Sequence, residues 1–300
     1  MTAGISEITT VPRRKRASRG GGGTLGLALV APAFGLMILL VLLPASRSLL
    51  GTIFPDQAGE PSLKNYEAFF SDARSASNLL FTVQVSVITL AILLTIGLII
   101  ALYLRFSQSR FIGAIQIIAL FPLFVPGIVI SFALIRFIGP TGLLPTTLRA
   151  LGISGYRTPY LHPSGAIIGL VWENIPLTIM LLTAGLAQIS NSSIEAARDV
   201  GAGWLRILSQ IILPQIIRSI VVAASLNFLG IFGSFTVPYI LGPAAPQMMS
   251  IFMQNTFSER HDSGVAETQA AVTFLVCLVI GVIYTLCVFR DTARDGKARQ

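Results

Sequence analysis

Apolar positions in this chain do not alternate with polar ones at the period of a strand or of an amphipathic helix. They run on, in six stretches, with polar residues gathered between them. The stretches cover about Leu25–Pro44, Leu79–Leu104, Gly113–Phe137, Gly165–Ala187, Ile217–Leu241 and Thr268–Phe289. Each reaches the roughly 20 residues that carry a helix across hydrocarbon. Inside a bilayer every backbone N–H and C=O must find a partner within the segment, which selects helices. The pattern therefore predicts an all-α, polytopic membrane protein with six transmembrane helices. A further apolar pattern over 244–264, with Met248, Met249 and Met253, predicts a short helix at the outer membrane surface. Its methionines read as gap fillers rather than metal ligands.

Composition agrees. Of 300 residues, 53% are hydrophobic and 11% charged, against about 25% charged in soluble domains. That excludes a disordered chain, a disulfide scaffold and an ordinary soluble enzyme. The net charge of +8 belongs to loops that face lipid headgroups, so membrane lipid, not nucleic acid, is the expected charged partner. Cys277 and Cys287 lie ten residues apart in one apolar run, about 15 Å along a helix, too far to bridge. Two histidines and no paired cysteines predict no metal site.

The distribution of Lys and Arg sets orientation. The amino-terminal tail, the segment between spans two and three, the segment between spans four and five, and the carboxyl tail hold fourteen; the other side holds seven. Both termini are thus expected in the cytoplasm, and with them the segment 188–214. The expected organisation is a basic, flexible cytoplasmic tail over 1–24, a six-helix domain over 25–290 and a cytoplasmic tail over 291–300. The glycine run Gly20–Gly23 is not followed by Lys-Ser or Lys-Thr, and none of the three lysines sits in a phosphate-loop frame. No catalytic residue and no ATP hydrolysis are expected of this chain.

The segment 188–214 is the informative one. Ser192-Ser193-Ile194-Glu195 has capping-box spacing, which predicts a helix over about Ser193–Val200 with Ser192 as N-cap. Gly201-Ala202-Gly203 breaks it, and a second stretch over Trp204–Ile212 leads to Pro214. Spacing alone leaves Glu195 as either a cap or a contact residue. The full pattern is Glu195-Ala196-Ala197, three residues, Gly201, nine residues, Ile211, one residue, Leu213-Pro214. It resembles the cytoplasmic-loop motif of permease subunits of type I ATP-binding-cassette (ABC) importers. Asn65-Tyr66 with Phe69 and Trp172 with Pro176 extend the resemblance to most of the chain.

That resemblance implies a cytoplasmic coupling helix between helices 4 and 5, with Glu195, Ala196, Ala197 and Gly201 as contact and hinge positions and Asp199 beside them. It implies two ABC ATPase subunits that hold ATP and Mg, a second permease subunit, identical or homologous, and an extracytoplasmic substrate-binding protein. It implies no cofactor in this chain and residence in a bacterial inner membrane. The stretch from Gly230 through Leu241-Gly242-Pro243 looks like the spermidine/putrescine-type branch, in which many relatives carry an acidic residue where Ser234 stands here.

Charge inside a span is costly and often functional. Glu173, in Trp172-Glu173-Asn174-Ile175-Pro176, lies roughly 12 Å below the outer end of span four. A carboxylate beside an indole could seat an ammonium group; pairing with a basic residue, or a wet cavity edge, is the alternative. Asn227, Ser234 and Tyr239, around the glycines and Pro238 of span five, are candidate pathway positions on a kinked helix; glycine-mediated packing is the competing account. The predicted function is importer permease for a small polar or cationic solute such as a polyamine. An ion-gradient-driven secondary transporter with Glu173 as its ion site is the second reading. An intramembrane enzyme lacks facing aspartates, a zinc motif or a serine elbow.

Overall fold

The computed structural model describes residues 22–54 and 60–298, so most of the expected tail 1–24 lies outside the described residues. Those residues contain fourteen α-helices and no strand. Residues through Leu50 form one compact unit and those from Gly51 a second.

The first unit holds α1 (Gly22–Met37), a π-turn at Ile38–Leu42 and most of α2 (Leu43–Ile53). Leu29–Ile53 is long and apolar enough to span a bilayer. The π-turn ends two residues before Pro44. A proline has no N–H to return to the preceding turn, and a wider turn absorbs the missing bond.

The second unit runs through α3 (Lys64–Ser71), α4 (Ala73–Phe106), α5 (Ile112–Leu120), α6 (Gly127–Ile138), α7 (Leu143–Ala150) and α8 (Pro163–Leu186). It continues with α9 (Asn191–Asp199), α10 (Trp204–Ile207), α11 (Leu213–Phe232), α12 (Thr236–Leu241), α13 (Met249–Ser258) and α14 (Ser263–Ala298). Five further spans follow the apolar pattern: Ala73–Phe106, Gly127–Ala150, Pro163–Leu186, Trp204–Phe232 and Ser263–Cys287. α4 starts on Asp72, whose carboxylate accepts from the Ser75 N–H at 3.0 Å and the Ser75 hydroxyl at 2.7 Å. The Ser75 hydroxyl, above all, holds that carboxyl below the usual aspartate range against the opposing effect of burial.

Span three departs from the single helix expected over Gly113–Phe137. Pro122 and Pro126 divide it: α5 passes into a 3-10 turn at Phe121–Phe124, and α6 starts afresh at Gly127. Span five divides too. α11 stops at Phe232, Gly233 caps it, and α12 resumes at Thr236. Its entry is longer than expected, because α10, a π-turn at Leu208–Ile212 and α11 follow one another without a break, with Pro214 in the first turn of α11. The carboxyl segment expected as a tail from 291 continues α14 to Ala298.

Packing relies on small residues where helices approach, the usual solution where lipid removes the hydrophobic drive between spans. A side chain at Gly97 of α4 would lie 2.6 Å from Thr178 of α8. One at Gly185 of α8 would collide with Ser219 of α11. Three apolar cores result among the described residues, the smallest made of Phe69, Met249, Phe252 and Val272. The first gathers Phe81, Val85, Leu93, Leu170, Ile231, Val237, Leu241, Met248 and Ile251. The second, around Ala101, Leu182, Leu186, Ile194, Ile207, Ile212 and Ile216, lies where α4, α8 and α11 meet α9 and α10. The short helix expected at the outer surface is α13, and it is packed inward: Met248, Met249, Ile251 and Phe252 are buried.

Candidate functional site

The hairpin α9–α10 is the first candidate. Its cap differs from the expected one. Ser190, not Ser192, is the N-cap: its Oγ accepts from the Ser193 N–H at 3.2 Å, and α9 begins at Asn191. The expected box with Ser192 as cap and Glu195 reaching back does not form. Ser192 lies inside the first turn, and its Oγ lies 2.7 Å from that of Ser190. Two serines each stand three residues before a possible donor; Ser190 takes the cap, and Ile194 in the first turn of α9 is buried in the second core.

Glu195, Ala196 and Asp199 are exposed, Ala197 is half-buried against the second core, and Gly201 turns the chain at φ +80°. That φ lies in the left-handed region that glycine alone enters without strain. Two apolar side chains that the sequence reading did not single out stand beside the turn: Val200 is 83% exposed and Leu205 79%. The signal was present. Both are visible in the sequence as apolar residues on either side of the glycine turn.

The second candidate is the middle of span four. Glu173 is half-buried, and its carboxylate lies against the amino end of α6: a methyl at Gly127 would come 2.7 Å from Oε1 and 3.5 Å from Val237 of α12. The first N–H groups of a helix have no intrahelical acceptor and carry its positive dipole end, so this place suits a carboxylate. Among the described residues Glu173 makes no ion pair or hydrogen bond, and the basic partner considered for it is not one of them.

The other candidate positions divide. Trp172 is 43% exposed on α8, and Tyr239, 60% exposed, stacks on Phe235 with ring centroids 5.2 Å apart. Ser234 lies in the break between α11 and α12, its carbonyl accepting from the Ser250 hydroxyl at 2.6 Å. Asn174 donates to the Leu170 carbonyl and lies near Gly230 of α11. Asn227 has no exposed surface. It accepts from the Thr178 hydroxyl at 3.2 Å and donates to the Ala223 carbonyl at 2.7 Å, tying α11 to α8. The structure thus gathers Glu173, Gly127 and Val237 at one place and sets Asn227 in the packed interior.

Residues 93–291 match the family described as binding-protein-dependent transport system inner membrane component. The chain belongs to that family. It is a permease subunit of a binding-protein-dependent ABC importer, and its six apolar helices are those of a multi-pass inner-membrane protein. Family membership gives no support to the ion-gradient carrier. The chain is 27% identical to the sulfoquinovosyl glycerol transport system permease protein SmoG of Agrobacterium fabrum, over 91% of this chain and 93% of that one. It is 26% identical to the spermidine/putrescine transport system permease protein PotB of Haemophilus influenzae, over 85% and 91%. In fold it is similar to a chain of a bacterial alginate ABC transporter crystallised with an alginate pentasaccharide-bound periplasmic protein. The TM-score is 0.75 at 18% identity, covering 90% of this chain and 95% of that one.

Proposed function

We propose that the α9–α10 hairpin is the cytoplasmic lever by which a separate ATPase moves this permease, with both termini on the same side as the hairpin. The observation that carries the reading is its shape: a base sunk in the second core through Ile194 and Ile207, and an exposed edge of Glu195, Ala196, Asp199, Val200 and Leu205 around the Gly201 turn. A rigid base with a presented edge transmits force; a solvated loop does not. Two ATPase subunits, each holding ATP and Mg, close on one another and carry the hairpin with them. The spans joined to it then rock a path shared with a second permease subunit, identical or homologous. An extracytoplasmic binding protein delivers the solute.

The solute is a small polar or cationic molecule, with a polyamine as the favoured class. Support comes from Glu173, a carboxylate without a basic partner among the described residues, with exposed Trp172 next to it in sequence. Trp172, Asn174, Ser234 and Tyr239 are the other pathway positions. Asn227 contributes from behind, through Thr178.

The test is to place a β-branched residue at the turn. Gly201→Val cannot hold φ +80° without strain. Reconstituted with its ATPase, the variant should insert and fold yet lose most ATP-driven uptake, and Glu195→Ala should lose part of it. Wild-type uptake in both variants would sink the lever.

A further inference from the structure

We propose that the lever is latched to the inner end of span two by Arg105 and Phe106, so that α4 moves with the hairpin rather than acting as a fixed wall beside it. This rests on the lever reading above. Arg105 stands in the last turn of α4, half-buried. Its Nε donates to the carbonyl of Leu186 at 3.4 Å, and one terminal nitrogen donates to the carbonyl of Ile189 at 3.3 Å and to Asn191 Oδ1 at 2.7 Å. Leu186 ends α8, Ile189 lies in the connection, and Asn191 opens α9. A single guanidinium therefore fastens the end of span four and the start of the lever to span two. The carbonyls at the end of α8 have no donors within their own helix, and a cation there also meets the negative end of the dipole.

The next residue grips the other arm. The Phe106 ring packs edge-on against Trp204 of α10, centroids 5.5 Å apart at 77°, while the Arg105 guanidinium lies 5.2 Å from the Phe106 ring centre. Two adjacent residues thus hold both arms of the hairpin on either side of the Gly201 turn. Behind them Ala101, Leu102 and Phe106 join the apolar core that buries Ile194 and Ile207. The site uses the span of a planar fork, with Nε and a terminal nitrogen facing different acceptors; a lysine ammonium is one compact centre whose donors cannot cover that span. Arg105 is a positioning residue, acting on the contact edge through Asn191 and the end of α8. In the sequence it counted only as one basic residue on the cytoplasmic side.

The experiment uses the full chain assembled with its ATPase subunits in lipid, Cys277 and Cys287 replaced by alanine and spin labels at Gln108 and Gln210. The distance between them is read without nucleotide and after trapping with ATP and vanadate. A latch keeps it within about 2 Å, the scale on which packed helices shift; a slide of about 5 Å, one helical turn, overturns the latch. In Arg105→Gln the distance distribution broadens and the trapped fraction falls about tenfold, the scale of losing hydrogen bonds from a charged donor. Arg105→Lys, which restores charge without the fork, recovers part of it. Arg110→Gln, at a guanidinium that lies over Phe111 rather than on the hairpin among the described residues, matches wild type. Wild-type trapping with a narrow distribution in Arg105→Gln overturns the role of Arg105. Should that variant fail to insert, the unmutated distance still decides. If Gly201→Val also leaves trapping untouched, the lever itself falls, and the latch with it; if Gly201→Val abolishes trapping while the labels slide a full turn, only the latch falls.

Discussion

Arg105 and Glu173 are both ionisable side chains on spans, on helices that pack against each other, and the fold treats them in opposite ways. Arg105, at the end of α4, has three acceptors from α8, the connection and α9. Glu173, in the middle of α8, has no partner among the described residues and rests on the glycine that opens α6. A charge whose hydrogen-bonding capacity is met inside the protein has become structure. A charge left with free capacity in a span remains available to something that arrives. The region around Arg105 joins continuous helix ends through the second core; the region around Glu173 lies where two interrupted spans start again, α6 after Pro126 and α12 after Gly233, with the first core beside it.

The largest effect should come from filling the space the acid needs. Gly127→Leu drives a side chain into Glu173 Oε1, and uptake should drop by more than about tenfold, more than 1.4 kcal/mol, while insertion persists. Pairing it with Glu173→Ala should recover part of the loss. An unaltered rate in Gly127→Leu would remove the crowding on which half of the contrast depends.

Glu173→Gln keeps the shape and removes the charge. Uptake of a cationic probe such as spermidine should fall about tenfold, the scale of one charged hydrogen bond, with a neutral sugar carried as before. Equal loss for both probes would place Glu173 with Arg105 among the structural charges.

A smaller change tests the lever's own start. Ser190→Ala should cost about 1 kcal/mol of local stability in α9, read as faster amide exchange over 191–199, because it removes the cap. Ser192→Ala should leave that exchange close to wild type. The reverse order would restore the capping box that spacing alone predicted.

The smallest effect concerns Asp72, at the far end of α4 from Arg105. Its carboxyl is held below the usual aspartate range, so its capping contribution is complete above that range and disappears as pH falls through the lowered folded value. Melting of the wild-type chain between pH 5 and pH 2 should therefore show a slope that Asp72→Asn flattens. Identical slopes would mean that Asp72 ionises as an unbonded aspartate.

How much of this was legible in advance varies by element. Continuous apolar runs predicted six spans, since bilayer thickness alone demands that length, but the third and fifth lie at Gly127–Ala150 and Trp204–Phe232 rather than over 113–137 and 217–241. The Glu195-to-Pro214 spacing located the hairpin, and Gly201 its turn, because φ +80° needs glycine wherever the rest of the fold goes. The break in span three was written in Pro122 and Pro126, yet an apolar run masks it, because hydropathy is blind to a missing N–H; in span five the glycines and Pro238 already predicted a kinked helix, and the break falls at Gly233.

Linear order settled composition, span number, charge asymmetry and the one loop with a fixed pattern; each is a property of neighbours along the chain. Only the tertiary structure decided that Ser190 caps α9, that Asn227 is buried against Thr178, that Glu173 faces Gly127, and that Arg105 reaches across to residues 186–191. Apart from the cap, whose donor is three residues away, those are choices among partners tens of residues apart, made by whichever packing buries the apolar faces while leaving the fewest polar groups unmet. A donor at position 105 does not announce its acceptors until α8 has been packed beside it.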